Sequence, residues 1–290
     1  MIQSGFEGNL GKKRMTNQIR EMDTISYEKR GRIAVLTLNR PSKLNTIDDR
    51  MLDEMYACIT ELDHDDEVRV IVIKGAGRAF CAGHDLSPRE EPFTKVLDWR
   101  NHARHDSRML FAIWNCKKPV ISQIHGYCMG GGCDLASVCD FTIAAQSAVF
   151  GKPEIQFNSA APFGITRYVM GMKRVKAFLL TGERLTAAEA EHYGLVTTVV
   201  PDDKLEEEVM ALAKKLVKIP EPAMRLNKEA INRSYEMAGL VSSIHYGENI
   251  FATVLMSETP ESARFFEIAN AEGLSAAFKW RDAQFVDDFE

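Results

Sequence analysis

Residues 125–140 read HGYCMGGGCDLASVCD and directly follow residues 119–124, a short apolar segment typical of a buried strand. Glycines between a strand and a helical pattern predict a tight turn in which the backbone can approach a ligand and leave its amides exposed. In open α/β sheets, ligands bind at the carboxyl ends of the strands, where this turn lies. The stretch therefore favours an α/β fold with a ligand site at that edge.

Strand and helix patterns alternate on both sides of this turn, which is typical of an α/β body. The predicted strands are residues 32–38, 68–73, 119–124, 141–145 and 195–200, and residues 48–62 show helical spacing. From residue 201 onward the apolar positions recur at helical spacing without strand signals. We expect a flexible leader at 1–23, a core at 24–200 and a helical region at 201–290.

Composition narrows the class of protein. The chain has 290 residues, 45% of them hydrophobic, and a formal net charge of −5, which argues against nucleic-acid binding. No apolar run approaches the ~18–20 residues that cross a bilayer, and residues 1–23 lack a secretory signal. The six cysteines form no CxxC pair, which predicts reduced thiols and a cytoplasmic protein.

Several common motifs are absent or incomplete. Residues 75–80 lack the third glycine of a dinucleotide fingerprint, residues 130–132 lack the Gly-Lys-Ser/Thr of a phosphate loop, and no GxSxG elbow occurs. Of the four acidic and histidine side chains in residues 98–106, the first two and either one of the last two share a helical face, but arginines are interleaved with them. We therefore expect no metal there, and a solvated or CoA-facing helix surface instead. The four side chains are Asp98, His102, His105 and Asp106.

A second small turn, residues 80–86 (FCAGHDL), follows the strand at 68–73. One amide from this turn and one from the glycine-rich turn can point at a single carbonyl oxygen. If the carbonyl belongs to a thioester, the pair stabilises the enolate that forms when charge moves onto oxygen, and each donor contributes about 2.7–4 kcal/mol. Tight turns without a ligand remain the alternative for either segment taken singly.

Two carboxylates follow these turns. Asp134 has apolar neighbours in sequence, which would raise its pKa, and Glu154 lies between a proline and an isoleucine. Paired carboxylates beside an electrophilic carbonyl are a general acid–base arrangement. The alternative is that Asp134 caps a helix and Glu154 is exposed at the surface.

With these motifs the sequence resembles the crotonase family, the enoyl-CoA hydratases and isomerases. The resemblance covers about residues 24–290, and its motifs occur in the family's order. They are residues 39–45, 80–86, 125–140, 151–154 and 181–187, followed by Ala190 and residues 194–196.

The resemblance implies a spiral core of ββα repeats with two roughly perpendicular sheets, followed by helices that pack a homotrimer or a dimer of trimers. It implies an acyl-CoA substrate and no cofactor beyond the coenzyme A of that thioester. The oxyanion amides map to His84 and Gly131, of which only the backbone is implied for His84. Lys43 is a candidate for phosphate contact. The implied binding segment on the adenine and pantetheine side consists of Ala82, Gly83, His84, Asp85, Leu86 and Ser87.

The sequence departs from the hydratases of the family at two places. The hydratases carry a glutamate at both carboxylate positions, whereas this chain has Asp134 and Glu154, and the shorter side chain withdraws its oxygens by about 1.5 Å. Phe163 and Ile165 replace a more glycine-rich run and would reshape the acyl pocket. We expect hydration of 2-trans-enoyl-CoA to 3-hydroxyacyl-CoA, with Glu154 moving the proton and Asp134 activating water. The alternatives are isomerisation with Glu154 as single proton shuttle, and non-catalytic acyl-CoA binding.

Overall fold

The computed structural model describes residues 19–89 and 91–285. The strands are β1 (Ile19–Glu21), β2 (Ile25–Arg30), β3 (Ile33–Leu38), β4 (Val70–Gly75), β5 (Val120–Ile124), β6 (Tyr127–Met129), β7 (Phe141–Ala145), β8 (Val149–Gly151), β9 (Arg184–Thr186) and β10 (Thr198–Val200). The helices are α1 (Asp49–His64), α2 (Val96–Trp114), α3 (Gly131–Val138), α4 (Thr166–Val169), α5 (Met172–Thr181), α6 (Ala187–His192), α7 (Leu205–Val217), α8 (Glu221–Met237), α9 (Leu240–Leu255), α10 (Pro260–Glu272) and α11 (Leu274–Ala283). Short 3-10 turns lie at Pro41–Lys43, Pro153–Phe157 and Asp202–Lys204.

The strands form two sheets. Seven of them are ordered β1-β2-β3-β4-β5-β7-β10, with antiparallel pairing from β1 to β3 and parallel pairing from β3 onward. The smaller sheet is β6-β8-β9. Because β4 and β5 are parallel neighbours, their carboxyl ends meet, and the chain segments that follow them are brought together.

The central strands are buried on both faces, as expected for parallel strands covered by crossover helices. In β4, Ile71 and Ile73 face the hydrophobic core that includes α1, whereas Val70 and Val72 face a second core that α7 closes with residues such as Val209. The apolar face of α1 supplies Met51, Leu52, Met55 and Ile59 to the first core. The helix begins where the Asp48 side chain accepts a hydrogen bond from the Met51 amide.

Most predicted elements are confirmed: β3, β4, β5, β7 and α1 lie where the periodicity places them. The strand predicted at 195–200 is shorter, because Leu195 and Val196 donate their amides to Ala190 of α6 and only 198–200 reach the sheet. The short strands β6, β8 and β9 were not predicted, since three residues are too few to show a period.

The predicted division of the chain needs two changes. Residues 1–18 of the expected leader lie outside the described residues, but the leader's end is not free, because β1 pairs with β2. Residues 201–285 are helical as predicted, although α7 belongs to the core layer beneath the large sheet. Within residues 19–89 and 91–285, no helix is long and apolar enough to cross a bilayer.

Candidate active site

The two predicted turns are in contact. The segment after β4 and the strand β6 run side by side, since the Cys81 amide donates to Tyr127 and the Met129 amide donates to Cys81. Gly83 has φ +102° and Gly130 has φ +52°, and a β-carbon on Gly130 would lie 3.5 Å from the Gly83 Cα. The positive φ favours glycine at both positions, and a β-carbon on Gly83 would also lie 3.2 Å from the Met129 carbonyl oxygen.

Each turn presents an amide that is free for a ligand. Ile47 donates to Gly83 and accepts from Asp85, so the peptide NH of His84, between them, faces the other way. Gly131 begins α3 and has no residue four positions earlier in the helix to accept its proton. Within the described residues, neither amide donates a backbone hydrogen bond. The positive end of the α3 dipole adds to the attraction for an oxyanion.

Glu154 lies beside these amides. It is the second residue of the 3-10 turn Pro153–Phe157, which follows β8 in the smaller sheet. A β-carbon on Gly130 would lie 3.3 Å from Glu154 Oε1, so the carboxylate touches the turn that carries the Gly131 amide. Its Oε2 is buried and has no hydrogen-bond partner in the described part of the chain. An unpartnered buried carboxylate oxygen is available for proton transfer to a bound substrate.

Asp134 lies in the first turn of α3 and is buried, with 2% exposure. Lys152 Nζ donates to Asp134 Oδ1 at 2.6 Å, and the Lys152 side chain is 1% exposed. Burial raises the pKa of Asp134 to about 6, and the Lys152 ammonium, which lowers it, offsets only part of this effect. Burial acts to lower the pKa of Lys152, but Asp134 and Glu154 reverse this effect, so the pKa is raised overall.

The His84 side chain also belongs to the site. Its Nε2 lies 3.5 Å from Asp106 Oδ2, and its ring covers the Cα of Gly131. Burial acts to lower the pKa of His84, but Asp106, Asp134 and Glu154 outweigh it and raise the pKa. The prediction of a solvated or CoA-facing surface is therefore wrong for Asp106, which is 2% exposed on the face of α2 that meets the site.

The expected CoA-binding segment is held by one carboxylate. Asp85 accepts hydrogen bonds from Arg40, Lys43 and Ser87, whose combined effect overcomes burial and holds its pKa well below the usual range. Lys43 is half-exposed and also reaches Ser87, so the structure brings Lys43 to the segment 82–87. The Ala82 amide donates to Leu44, and Leu86 packs against the core of α10 and α11.

Two groups of aromatic rings involve the helix α2 and the segment before it. Phe93 and Trp99 meet edge to face with centroids 5.0 Å apart, and Phe251 of α9 lies 6.1 Å from Trp99. Phe163 is buried against Phe111 of α2 with centroids 5.4 Å apart. These rings are therefore packed against one another.

Lys152 and the imidazole of His84 are the parts of the site that the sequence analysis missed. Lys152 stands two residues before Glu154, but nothing in the sequence indicates that an ammonium folds inward. The available signal was the place of Lys152 inside the motif at residues 151–154, two residues before Glu154.

Substitution of Gly131 tests the geometry of the turn. A β-carbon at this position would lie 2.6 Å from His84 Nε2 and 2.9 Å from Cδ2, so the ring or the amide must move. We expect Gly131→Ala to lower kcat about 10- to 100-fold, since a 1 Å displacement of a positioned group has an effect of that order. Steady-state kinetics with a CoA thioester measure this change.

Gly171→Ala is the matched control, because no atom of residues 19–89 or 91–285 lies within 4 Å of the added carbon and φ is −64°. Its kcat should equal that of the unsubstituted protein. An unchanged kcat in Gly131→Ala would place the oxyanion site elsewhere.

Comparison with known proteins shows similarity over most of the chain. The sequence model of the family described as enoyl-CoA hydratase/isomerase matches residues 28–278. A probable enoyl-CoA hydratase of Mycobacterium bovis is 34% identical over 91% of this chain and 98% of its own length. The short-chain-enoyl-CoA hydratase of Clostridium acetobutylicum is 32% identical over 87% of this chain and 98% of its length. An enoyl-CoA hydratase/isomerase from Xanthobacter autotrophicus Py2 has a crystal structure that superposes with a TM-score of 0.88 at 34% identity, covering 92% and 100% of the two chains.

Proposed function

Because the chain belongs to the enoyl-CoA hydratase/isomerase family, the crotonases, we propose that it hydrates 2-trans-enoyl-CoA thioesters to 3-hydroxyacyl-CoA. The observation that supports this site is the contact between the two turns that carry the His84 and Gly131 amides, neither of which donates a backbone hydrogen bond within the described residues. The carboxylates Glu154 and Asp134 lie beside these turns. Such amide donors act on the charge that develops during the reaction, so they lower the barrier more than they strengthen substrate binding.

The roles follow from the chemistry of addition to a conjugated thioester. The carbonyl oxygen accepts hydrogen bonds from the amides of His84 and Gly131, and charge moves onto it as water adds at C3. Asp134 takes a proton from that water through Oδ2, to which no residue in the described ranges donates, whereas Oδ1 is held by Lys152. Glu154 gives a proton to C2. Before the next turnover, the proton that Asp134 took from water passes to Glu154. Lys43 and residues 82–87 bind the CoA portion.

Isomerisation of 3-enoyl-CoA is a second candidate, favoured by a specific observation. Lys152 already occupies one oxygen of Asp134, whereas Glu154 Oε2 has no partner among the described residues. A shuttle that moves one proton between C2 and C4 needs only Glu154 and the two amides.

One experiment separates the possibilities. The purified protein is given crotonyl-CoA and, in parallel, a 3-enoyl-CoA, and the absorbance of the conjugated thioester is followed. Loss of absorbance with crotonyl-CoA supports hydration, whereas a gain with 3-enoyl-CoA supports isomerisation. Tight binding of acetoacetyl-CoA with neither reaction would identify a non-catalytic acyl-CoA-binding protein.

The pH dependence of hydration follows from the raised pKa of Asp134. The carboxylate must be ionised to accept a proton from water, and it is ionised above about pH 6, the value to which burial raises its pKa. We expect kcat/KM for crotonyl-CoA to be constant at neutral pH and to fall about tenfold per unit below pH 6. An acid limb near pH 4, the ordinary range of an aspartate, would contradict this role.

The assembly and location are part of the proposal. We expect a homotrimer or dimer of trimers, which is supported by large apolar side chains exposed on α8 and α9, and light scattering of the purified protein measures it. These side chains are Leu226, Ile231, Tyr235, Met237, Tyr246 and Ile250. The six cysteines are free thiols, which supports a reducing, cytoplasmic location.

A further inference from the structure

Lys152 is a fully buried ammonium within the candidate active site. It follows β8, its side chain is 1% exposed, and its Nζ donates to Asp134 Oδ1 at 2.6 Å. A buried lysine must be paired, because transfer of an isolated ammonium into a protein interior has a large free-energy penalty. The pair thus fixes both the position of Asp134 and the charge on it.

The ammonium treats the two carboxylates of the site differently. Asp134 receives the direct hydrogen bond, whereas the Oε2 atom of Glu154 has no partner in the described ranges. A buried carboxylate loses most of its hydration, so an ammonium that is hydrogen-bonded to it favours its ionised form. The other charged groups that act on Asp134 are Glu154 and Asp106, and His84 Nε2 lies 3.5 Å from Asp106 Oδ2.

We propose that Lys152 is a positioning residue that holds Asp134 in its ionised form through Oδ1 and leaves Oδ2 to act on water. This inference rests on the proposed hydration, in which Asp134 accepts a proton from water. It also accounts for the aspartate in place of a glutamate: the anchored Oδ1 fixes the short side chain and leaves Oδ2 for water.

A purely structural role for Lys152 is the competing explanation. Buried ion pairs contribute little net stability when both members are compared with apolar residues of similar volume, whereas removal of one member alone is destabilising. Lys228 offers the comparison within the same chain. The Lys228 Nζ donates to Asp140 at 2.7 Å, and the Lys228 side chain is 8% exposed. Asp140 also accepts from the Val120 amide at the start of β5, the end of that strand opposite to the site.

Lys152→Met tests the proposal, because methionine keeps the volume and removes the charge. An opposite charge at this distance shifts a pKa by about 1–3 units, so the acid limb of hydration should move upward by at least about 1 unit. The rate at pH 7 should then fall about twofold for a shift of 1 unit and about tenfold for a shift of 2 units, and recover as the pH is raised towards 9. Acetoacetyl-CoA affinity should stay within about threefold, and Lys152→Arg should keep the original acid limb.

Lys228→Met is the matched control and should leave the acid limb of hydration unchanged. A Lys152→Met profile with an unmoved acid limb, or a loss that high pH does not reverse, would overturn the proposal. The ionisation of Asp134 is also followed directly by ¹³C NMR, with the signal assigned by its loss in Asp134→Asn. This titration decides the matter even if the unsubstituted protein fails to hydrate crotonyl-CoA, a result that would refute the proposed function alone.

Discussion

Glu154→Gln is expected to abolish most turnover in both assays, lowering kcat about 10²- to 10⁴-fold, the range that a general acid–base residue contributes. Glutamine keeps the shape of the side chain beside Gly130 but cannot exchange a proton. Both hydration and isomerisation require this group, because each places or removes a proton at C2. Steady-state rates with crotonyl-CoA and with 3-enoyl-CoA measure the loss.

Binding should survive the same substitution. The amides of His84 and Gly131 and the segment 82–87 are untouched, so the affinity for acetoacetyl-CoA should change less than about threefold. Glu54→Gln is the control, since Glu54 is also buried but is bonded to Thr24 at the far side of α1. It should lower stability without lowering kcat. A Glu154→Gln protein with more than a tenth of the original kcat would remove Glu154 from the proton path.

The sequence predicted the frame of the site well, for reasons that are local. Glycine runs after apolar segments are a short-range signal, and the register of β4 and β5 then brings the turns at 82–87 and 129–131 together. The positive φ values of Gly83 and Gly130 are the physical reason for those glycines. Asp134 and Glu154 were chosen as candidates because they lie within the same motifs, and their roles stay predictions.

The parts that the sequence did not predict depend on contacts between distant elements. Asp106 looked like one polar residue on a charged helix, and only the packing of α2 against α3 buries it beside His84. Lys152 reads as an ordinary surface lysine, and its inward direction is set by Asp134, eighteen positions earlier. Side-chain direction at a strand end is decided by tertiary partners, which periodicity does not encode.

Loss of the Asp134 carboxylate should separate the two candidate reactions. We expect Asp134→Asn to lower hydration of crotonyl-CoA about 10²- to 10³-fold, because the water then lacks a base, and to slow isomerisation of 3-enoyl-CoA less than about tenfold. Asparagine is preferred to alanine, since its carbonyl still accepts from Lys152. Alanine would leave the ammonium buried and unpaired, which destabilises a fold by about 3–5 kcal/mol and would confuse a catalytic loss with a structural one.

Asp140→Asn removes the carboxylate that pairs with the buried Lys228 and should change neither rate. Equal losses in the two assays for Asp134→Asn would mean that Asp134 supports the enolate or the fold rather than the water, and Glu154 would then have to serve hydration without a second base.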